Sequence, residues 1–461
     1  MDCKLFLFLP VFAIGIMSAP EAYGLTLENI AAYVRRDNAE VKTAQKEEEA
    51  AASGVNAALS KYFPTLELKN RVTRMDDNLA IDLAPLSFAP ELAPGRRMNL
   101  AFDPPPVEVQ QREFKSSSLV LTQPIYWGGK IAAGVDIARA SHEETRYLAQ
   151  KEYQKQLALA YERYFQVQLA TETAAILQKM SERLTRLHKM GQTLVSSGAA
   201  PKLSVMKIEV SQAELQSRLE EAENHKNLAR LALRSVLAVD ESLVATLESP
   251  LKQIPLVLNE AELKKRALQQ RDEWGVLKAR QKKIDAAVLA QTGGMKPRLY
   301  AFGKYEMFPE DQTMLEPRWA VGIGLDVTLT SPLTELPERM RLKALRKQID
   351  IVRDRVEQEM ALEVEKYFSE AKTAAASLKH LDGAILLAEE TLRLATVSYR
   401  SGEGSEMEVL DATSQLEKLQ IARLTQLAAY NMSLIRLCQA SGDVGEYAHL
   451  YQNSAQGEKK L

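Results

Sequence analysis

Two hydrophobic periods alternate along this chain, and each predicts a different element. From Ile131 to Ser197 apolar side chains recur at helical spacing, with Leu177, Met180, Leu184, Leu187, Gly191 and Leu194 alternately three and four residues apart. The segment Ala344 to Tyr399 repeats the pattern through Leu378, Leu381, Ile385, Ala388, Leu392 and Ala395. Spacing that averages 3.5 residues keeps one seam turned toward a partner helix, so both segments read as coiled-coil rods, the first about 100 Å long. Each rod runs into a turn, at 196–201 and at 400–405, and the helices that follow, Lys202 to Ala238 and Glu406 to Ser441, must return antiparallel. Proline placement agrees, since none lies between Pro124 and Pro201 and none follows Pro337.

The second period is two. Between Arg318 and Leu329, Trp319, Val321, Ile323, Leu325, Val327 and Leu329 point to one side, while Ala320, Gly322, Gly324, Asp326 and Thr328 point to the other. One greasy and one small or polar face over some ten residues is the pattern of a transmembrane β-barrel strand, and equally that of a soluble sandwich strand. Leu299 to Phe308 pairs with it across a short loop, and Leu66 to Arg74 pairs with Phe114 to Gln123 across a long one holding Pro85, Pro90, Pro94 and Pro104-Pro105-Pro106. A connection that long, with little apparent structure, is uncommon in compact domains and usual on the outer side of membrane barrels. Trp127 and Trp319 suit interfacial aromatic belts or core packing.

The halves of the chain echo each other. Glu40 and Pro64 reappear at one offset as Glu273 and Pro297, and at a second offset Ala140, Ser197-Gly198, Val205 and Leu215 reappear as Ala344, Ser401-Gly402, Val409 and Leu419. A longer first hairpin accounts for the change of offset, so the expectation is two copies of a helix, hairpin, helix-pair unit. The expected divisions are a signal peptide at 1–24, a first repeat at 25–243 with its hairpin at 65–123, a linker at 244–258, a second repeat at 259–442 with its hairpin at 298–329, and a polar C-terminal tail at 443–461. The signal reading rests on Lys4, the apolar run Leu5 to Ala19, and Ala22-Tyr23-Gly24 as a cleavage site.

Composition narrows the function. With 59 Lys+Arg against 61 Asp+Glu the formal net charge is -2, which argues against an electrostatic nucleic-acid binder. Beyond the leader no apolar stretch is long enough for a transmembrane helix, which leaves a β-barrel as the only way across a membrane. Four strands cannot close one, because the smallest use eight, so membrane strands here require oligomerisation. Cys3 and Cys438 cannot make a disulfide framework, and Cys438 reads as a small buried hydrophobe. His142, His188, His225, His380 and His449 have no metal-ligand spacing, and Gly322-Ile323-Gly324 lacks the third glycine and the helix of a dinucleotide loop. No enzyme, metal or cofactor is expected.

Taken together, the segments Leu25-Thr26-Leu27-Glu28 through Tyr62-Phe63-Pro64-Thr65-Leu66, Leu121 to Lys130, and Tyr399 to Thr413 resemble the TolC-type outer-membrane factor family over nearly the whole mature chain. The resemblance implies a mainly α fold with a small β part: a homotrimer whose chains each give four strands to a shared twelve-stranded barrel in outer-membrane lipid, continued by a long periplasmic barrel of antiparallel coiled-coil helices. Proteins that look like this serve as passive exit ducts, working with a periplasmic adaptor protein and an inner-membrane transporter for efflux or secretion. The alternative is a secreted periplasmic coiled-coil scaffold without a channel.

The resemblance also assigns residues. It places Glu408 and Asp411 at an acidic constriction, three apart on one helix face, where three copies would make two carboxylate rings; ordinary acids complementing a helix N-terminus would look the same. Tyr399 stands at the tyrosine of the family's closed-state lock, but Gly404 stands at its arginine and Ser204 at its acid, so the lock cannot be intact. The first tip is basic, with Lys189, Lys202 and Lys207, and the second acidic, with Glu403, Glu406, Glu408 and Asp411. Attraction between the tips is the expected substitute. Gly198, Ala199, Gly402 and Gly404 resemble the family's adaptor-docking tips, although glycine also suits a helix C-terminus for its own reasons.

Overall fold

The computed structural model describes residues 24–256, 259–309 and 316–458. The leader call therefore lies outside the described residues except for Gly24, as do Cys3, residues 257 and 258 of the linker, and the extreme C-terminus. The helices are α1 Leu27–Asp37, α2 Ala39–Leu59, α3 Lys130–Ser196, α4 Lys202–Leu237, α5 Glu241–Ala245, α6 Glu260–Gln270, α7 Asp272–Gly294, α8 Ser331–Ser401, α9 Glu406–Ser441 and α10 Glu446–Glu458. The strands are β1 Thr65–Arg74, β2 Leu79–Ile81, β3 Leu86–Phe88, β4 Glu91–Ala93, β5 Arg96–Arg97, β6 Leu100–Phe102, β7 Val107–Gln110, β8 Glu113–Trp127, β9 Arg298–Glu306 and β10 Trp319–Asp326. No described helix is long and apolar enough to cross a membrane. The described residues divide into two compact units, one falling within 24–44, 150–271 and 357–458 and the other within 45–149 and 272–356.

The second unit is built around an antiparallel sheet in the order β1-β8-β9-β10. Its registers put Leu68 opposite Leu119, Leu119 opposite Tyr305, and Tyr305 opposite Trp319, so these side chains share one face. The alternation read from the sequence is visible on β10, where Trp319, Val321, Ile323 and Leu325 are 64%, 73%, 71% and 66% exposed. The strand ends at Asp326, earlier than the pattern suggested. A register shift between Pro124 and Tyr126 turns β8 over: Tyr126 pairs with Leu299 on the apolar face, and Trp127 pairs with Arg298 on the opposite one. Tyr126 thus stands on the face of Trp319, and Trp127 faces away from it.

The long connection is not structureless. Its segments pair as β2-β7, β3-β6 and β4-β5, a ladder that carries the β1-β8 hairpin onward to a turn at Gly95, where φ is +84°. The strands are two to four residues long, and all but β5 and β6 are separated by prolines, which is why no alternation stood out.

Where β8 enters α3, Gly128 and Gly129 have φ of +63° and +85°. A Cβ on Gly128 would lie 2.1 Å from the carbonyl oxygen of Gly293, so only glycine fits that turn. The corresponding entry to α8 needs no such turn: the helix begins at Ser331, with Pro332 in its first turn, where a missing N–H costs nothing. It begins earlier than Ala344, because Pro337 is accommodated inside it rather than ending it.

In the first unit, a core forms around α1, α3, α4, α6, α9 and α10. Leu25 and Leu27 are fully buried, and Leu25 bridges in parallel to Leu247. Phe165 and Tyr447 meet edge to face at 5.8 Å, and Tyr161 lies 5.7 Å from Tyr447. The Tyr447 hydroxyl donates to Asn431 Oδ1 at 2.7 Å, and Asn431 Nδ2 donates to the Leu427 and Lys252 carbonyls. Residues 443–458 are therefore not a polar tail. Val444, Tyr447 and Tyr451 form an apolar stripe at helical spacing, and burying it is what holds α10 on the core. Cys438 lies in the same core, and burial pushes its thiol pKa up.

Candidate functional site

The two helix tips are built alike. At the first, Gly198 has φ +75° and the Leu194 carbonyl accepts from the backbone N–H groups of Ala199 and Ala200. At the second, Gly402 has φ +81° and the Ser398 carbonyl accepts from Glu403 and Gly404. A left-handed glycine followed by backbone closure onto the last turn is how a helix ends and reverses. Gly198, Ala199 and Gly402 are exposed; Gly404 is half-buried, and a Cβ there would lie 2.8 Å from Ser398 Oγ. Position 404 is thus a tight site, where a side chain would displace the Ser398 hydroxyl and press on the Tyr399 backbone nitrogen.

Beneath the tips a single hydrophobic cluster joins all four helices. Leu177, Met180, Leu184 and Leu187 from α3, Ile208 and Leu215 from α4, Ala388 and Tyr399 from α8, and Val409 and Leu416 from α9 are among its buried members. These include four of the six α3 seam residues that the helical spacing singled out and Ala388 from α8, with Leu194, Ile385, Leu392 and Ala395 partly buried against them.

At the top of this cluster the two N-termini of α4 and α9 meet through one carboxylate. Glu406, the first residue of α9, is buried; its Oε2 accepts from Ser204 Oγ at 3.0 Å and its Oε1 from Lys207 Nζ at 3.0 Å. Burial raises the Glu406 pKa, and the hydrogen bonds from Lys207, from its own backbone N–H and from Ser204, with the Lys207 charge, outweigh it, so the net displacement is downward. Tyr399 is 2% exposed, and its hydroxyl has no hydrogen-bond partner among the described residues. Burial, then the nearby Glu406 charge, pushes its pKa up. The hydroxyl stands against Gly191, where a Cβ would come within 3.2 Å of it.

The structure therefore brings Ser204, Lys207, Glu406 and Tyr399 together, and leaves Lys202, Glu403, Glu408 and Asp411 exposed, without an ion pair among the described residues. Glu408 stands three residues after Ser405, whose Oγ accepts from the Glu408 N–H at 3.3 Å and caps α9. Asp411 borders a groove of about 580 Å³ between α3, α4 and α9, walled by Leu203, Met206, Val210, Met407 and Leu410. Sequence reasoning missed a further tie between the same helices: Arg218 on α4 bonds the buried Glu417 on α9. Nothing in spacing reveals such a pair, because it depends on the axial offset of two helices distant in sequence.

Residues 33–239 match the model of the outer membrane efflux protein family. Among curated proteins there is no match. Among solved structures the chain is similar to the open state of the MtrE outer membrane channel of Neisseria gonorrhoeae, at 15% identity and a TM-score of 0.70, covering 91% of this chain and 89% of that one. It is likewise similar to the CmeC outer membrane channel of Campylobacter jejuni, at 15% identity and TM-score 0.70, covering 92% and 89%. The outer membrane protein VceC of Vibrio cholerae matches at 14% identity and TM-score 0.69, covering 90% and 96%. At these identities the likeness is one of fold.

Proposed function

The chain belongs to the outer membrane efflux protein family, and on that premise we propose that it is the outer-membrane exit duct of a tripartite efflux pump or type I secretion system. Three copies each contribute four strands to one barrel, and the long helices form the periplasmic extension. The duct is passive and does no chemistry; an inner-membrane transporter drives it through a periplasmic adaptor that docks at Gly198, Ala199, Gly402 and Gly404.

The observation that carries this reading is the sheet. It has two open edges, β1 and β10, and a largely apolar face on which Leu66, Leu68, Leu121, Tyr305, Trp319, Val321, Ile323 and Leu325 are exposed. Water would oppose such a face and such edges; lipid and neighbouring strands would satisfy both. A secreted scaffold gives no reason for that exposure.

The gate in this reading lies at the tips. Glu408 and Asp411, exposed on one face of α9, supply the acidic aperture in three copies, favouring cations. Glu406 takes the part of the missing acid: where the family lock would bond Tyr399, this chain ties Ser204 and Lys207 to Glu406 instead.

Ile323→Arg tests the membrane assignment. A cation on the lipid face near mid-bilayer costs about 2–4 kcal/mol, so the variant is expected to fail to insert while Arg at the outward-facing Glu403 tip inserts normally. Equal insertion of both would remove the sheet from the membrane.

A further inference from the structure

The face of the sheet opposite Ile323 carries a row of aromatic rings. Trp127 pairs with Arg298, Tyr300 with Gly324, and Phe302 with Gly322. The centroids of Trp127 and Tyr300 lie 6.3 Å apart and those of Tyr300 and Phe302 6.2 Å. Tyr300 and Phe302 lie directly over the two glycines: a Cβ at Gly324 would come within 2.4 Å of Tyr300 Cζ, and one at Gly322 within 2.9 Å of Phe302 Cζ. Glycine at both positions lets each ring rest on the strand backbone, one side covered by β10 and the remainder half-exposed.

Charge brackets the row and does not enter it. At one end Arg298 lies 3.6 Å from Asp326, with its guanidinium 5.5 Å from the Trp127 ring. At the other, Lys304 lies 3.8 Å from Glu306 and 3.6 Å from Glu316. Each cation already faces a carboxylate, so neither end offers a free charge to an ionic ligand. What the row offers is ring surface, whose dispersion and quadrupole favour another aromatic ring over an aliphatic body of equal size.

We propose that Trp127, Tyr300 and Phe302 form a stacking ledge for uncharged planar aromatic cargo on the water-facing wall of the barrel. The proposal rests on the duct reading, which makes that face the lumen. The rings also stiffen a glycine-containing strand, and a variant that keeps their bulk separates the two roles.

The experiment is planar-bilayer recording of the purified mature protein with 2-naphthol, and with its saturated decahydro analogue, in the bath. The naphthol is expected to reduce the current where the saturated compound does not. In the Tyr300→Leu/Phe302→Leu double variant, which still covers both glycines, open conductance should persist while the half-blocking concentration rises about tenfold. Equal block by the two compounds, or block unchanged in the double variant, overturns the ledge and leaves the duct. No current from folded unsubstituted protein overturns the duct, and the ledge with it.

Discussion

Lys207 Nζ lies 3.0 Å from Glu406 Oε1, an ion pair that joins the start of α4 to the start of α9 across two hairpins far apart in sequence. Glu406 is the more deeply buried partner, with 12% of its side chain exposed against 39% for Lys207. Replacing Glu406 by Ala leaves the buried Ser204 hydroxyl without its acceptor and frees Lys207. A buried donor left unpaired costs about 1–3 kcal/mol, so hydrogen exchange at the first turns of α4 and α9 should quicken. Glu406→Gln keeps an acceptor for Ser204 and should lose less.

The same contact sets a pH dependence. The Glu406 pKa is depressed in the folded chain, so its contribution is present above the unfolded value of about 4.3 and lost as pH falls through the lower folded value. The Tyr399 pKa is raised, so the neutral hydroxyl favours the folded tip below about 10 and that contribution fades as pH climbs beyond. Tip protection in hydrogen exchange, corrected for intrinsic rates, should be flat between these limits, and in Glu406→Gln the acid-side loss should disappear.

Tyr399→Phe should leave the gate unchanged. The hydroxyl is buried with no partner among the described residues, so removing it forfeits no hydrogen bond and relieves the cost of burying an unpaired polar group. Conductance is expected to match the unsubstituted protein and the melting temperature to rise. A wider-opening channel from this variant would mean that the hydroxyl bonds an acceptor in the assembled gate.

Cys438 should ignore thiol reagents in the folded protein. It is 1% exposed, and burial raises its pKa, so little thiolate forms and none is reachable. Labelling by Ellman's reagent should follow the denaturant unfolding curve.

The β2–β7 ladder should be dispensable for folding. The β1-β8 pairing is complete at Arg74 and Glu113, and the Met75 N–H already donates to the Arg112 carbonyl at 2.8 Å. Replacing residues 76–111 by Asn-Gly, a turn suited to a hairpin, should leave the melting temperature within about 3 °C.

How much of this was legible follows from the range of each signal. Helix ends at Ser196 and Ser401 were readable because glycine and proline act locally. The faces of β10 were readable because period two is local as well. The facing of Trp127 was not, since one bulge at the Pro124–Tyr126 step inverts everything after it. The stripe of Val444, Tyr447 and Tyr451 was present in the sequence but hidden by polar neighbours. Glu406 could be named as part of an acidic tip, yet its choice of Ser204 and Lys207 depends on how two helix starts line up, which only the folded packing of Leu177, Ile208 and Val409 determines.

The most direct test of the central claim is single-channel recording of the detergent-purified mature protein in a planar bilayer, beside Glu408→Ala/Asp411→Ala. A passive duct narrowed by two carboxylate rings predicts small, cation-selective currents that grow or lose their selectivity in the double variant. Absence of any current from folded, inserted protein would contradict it.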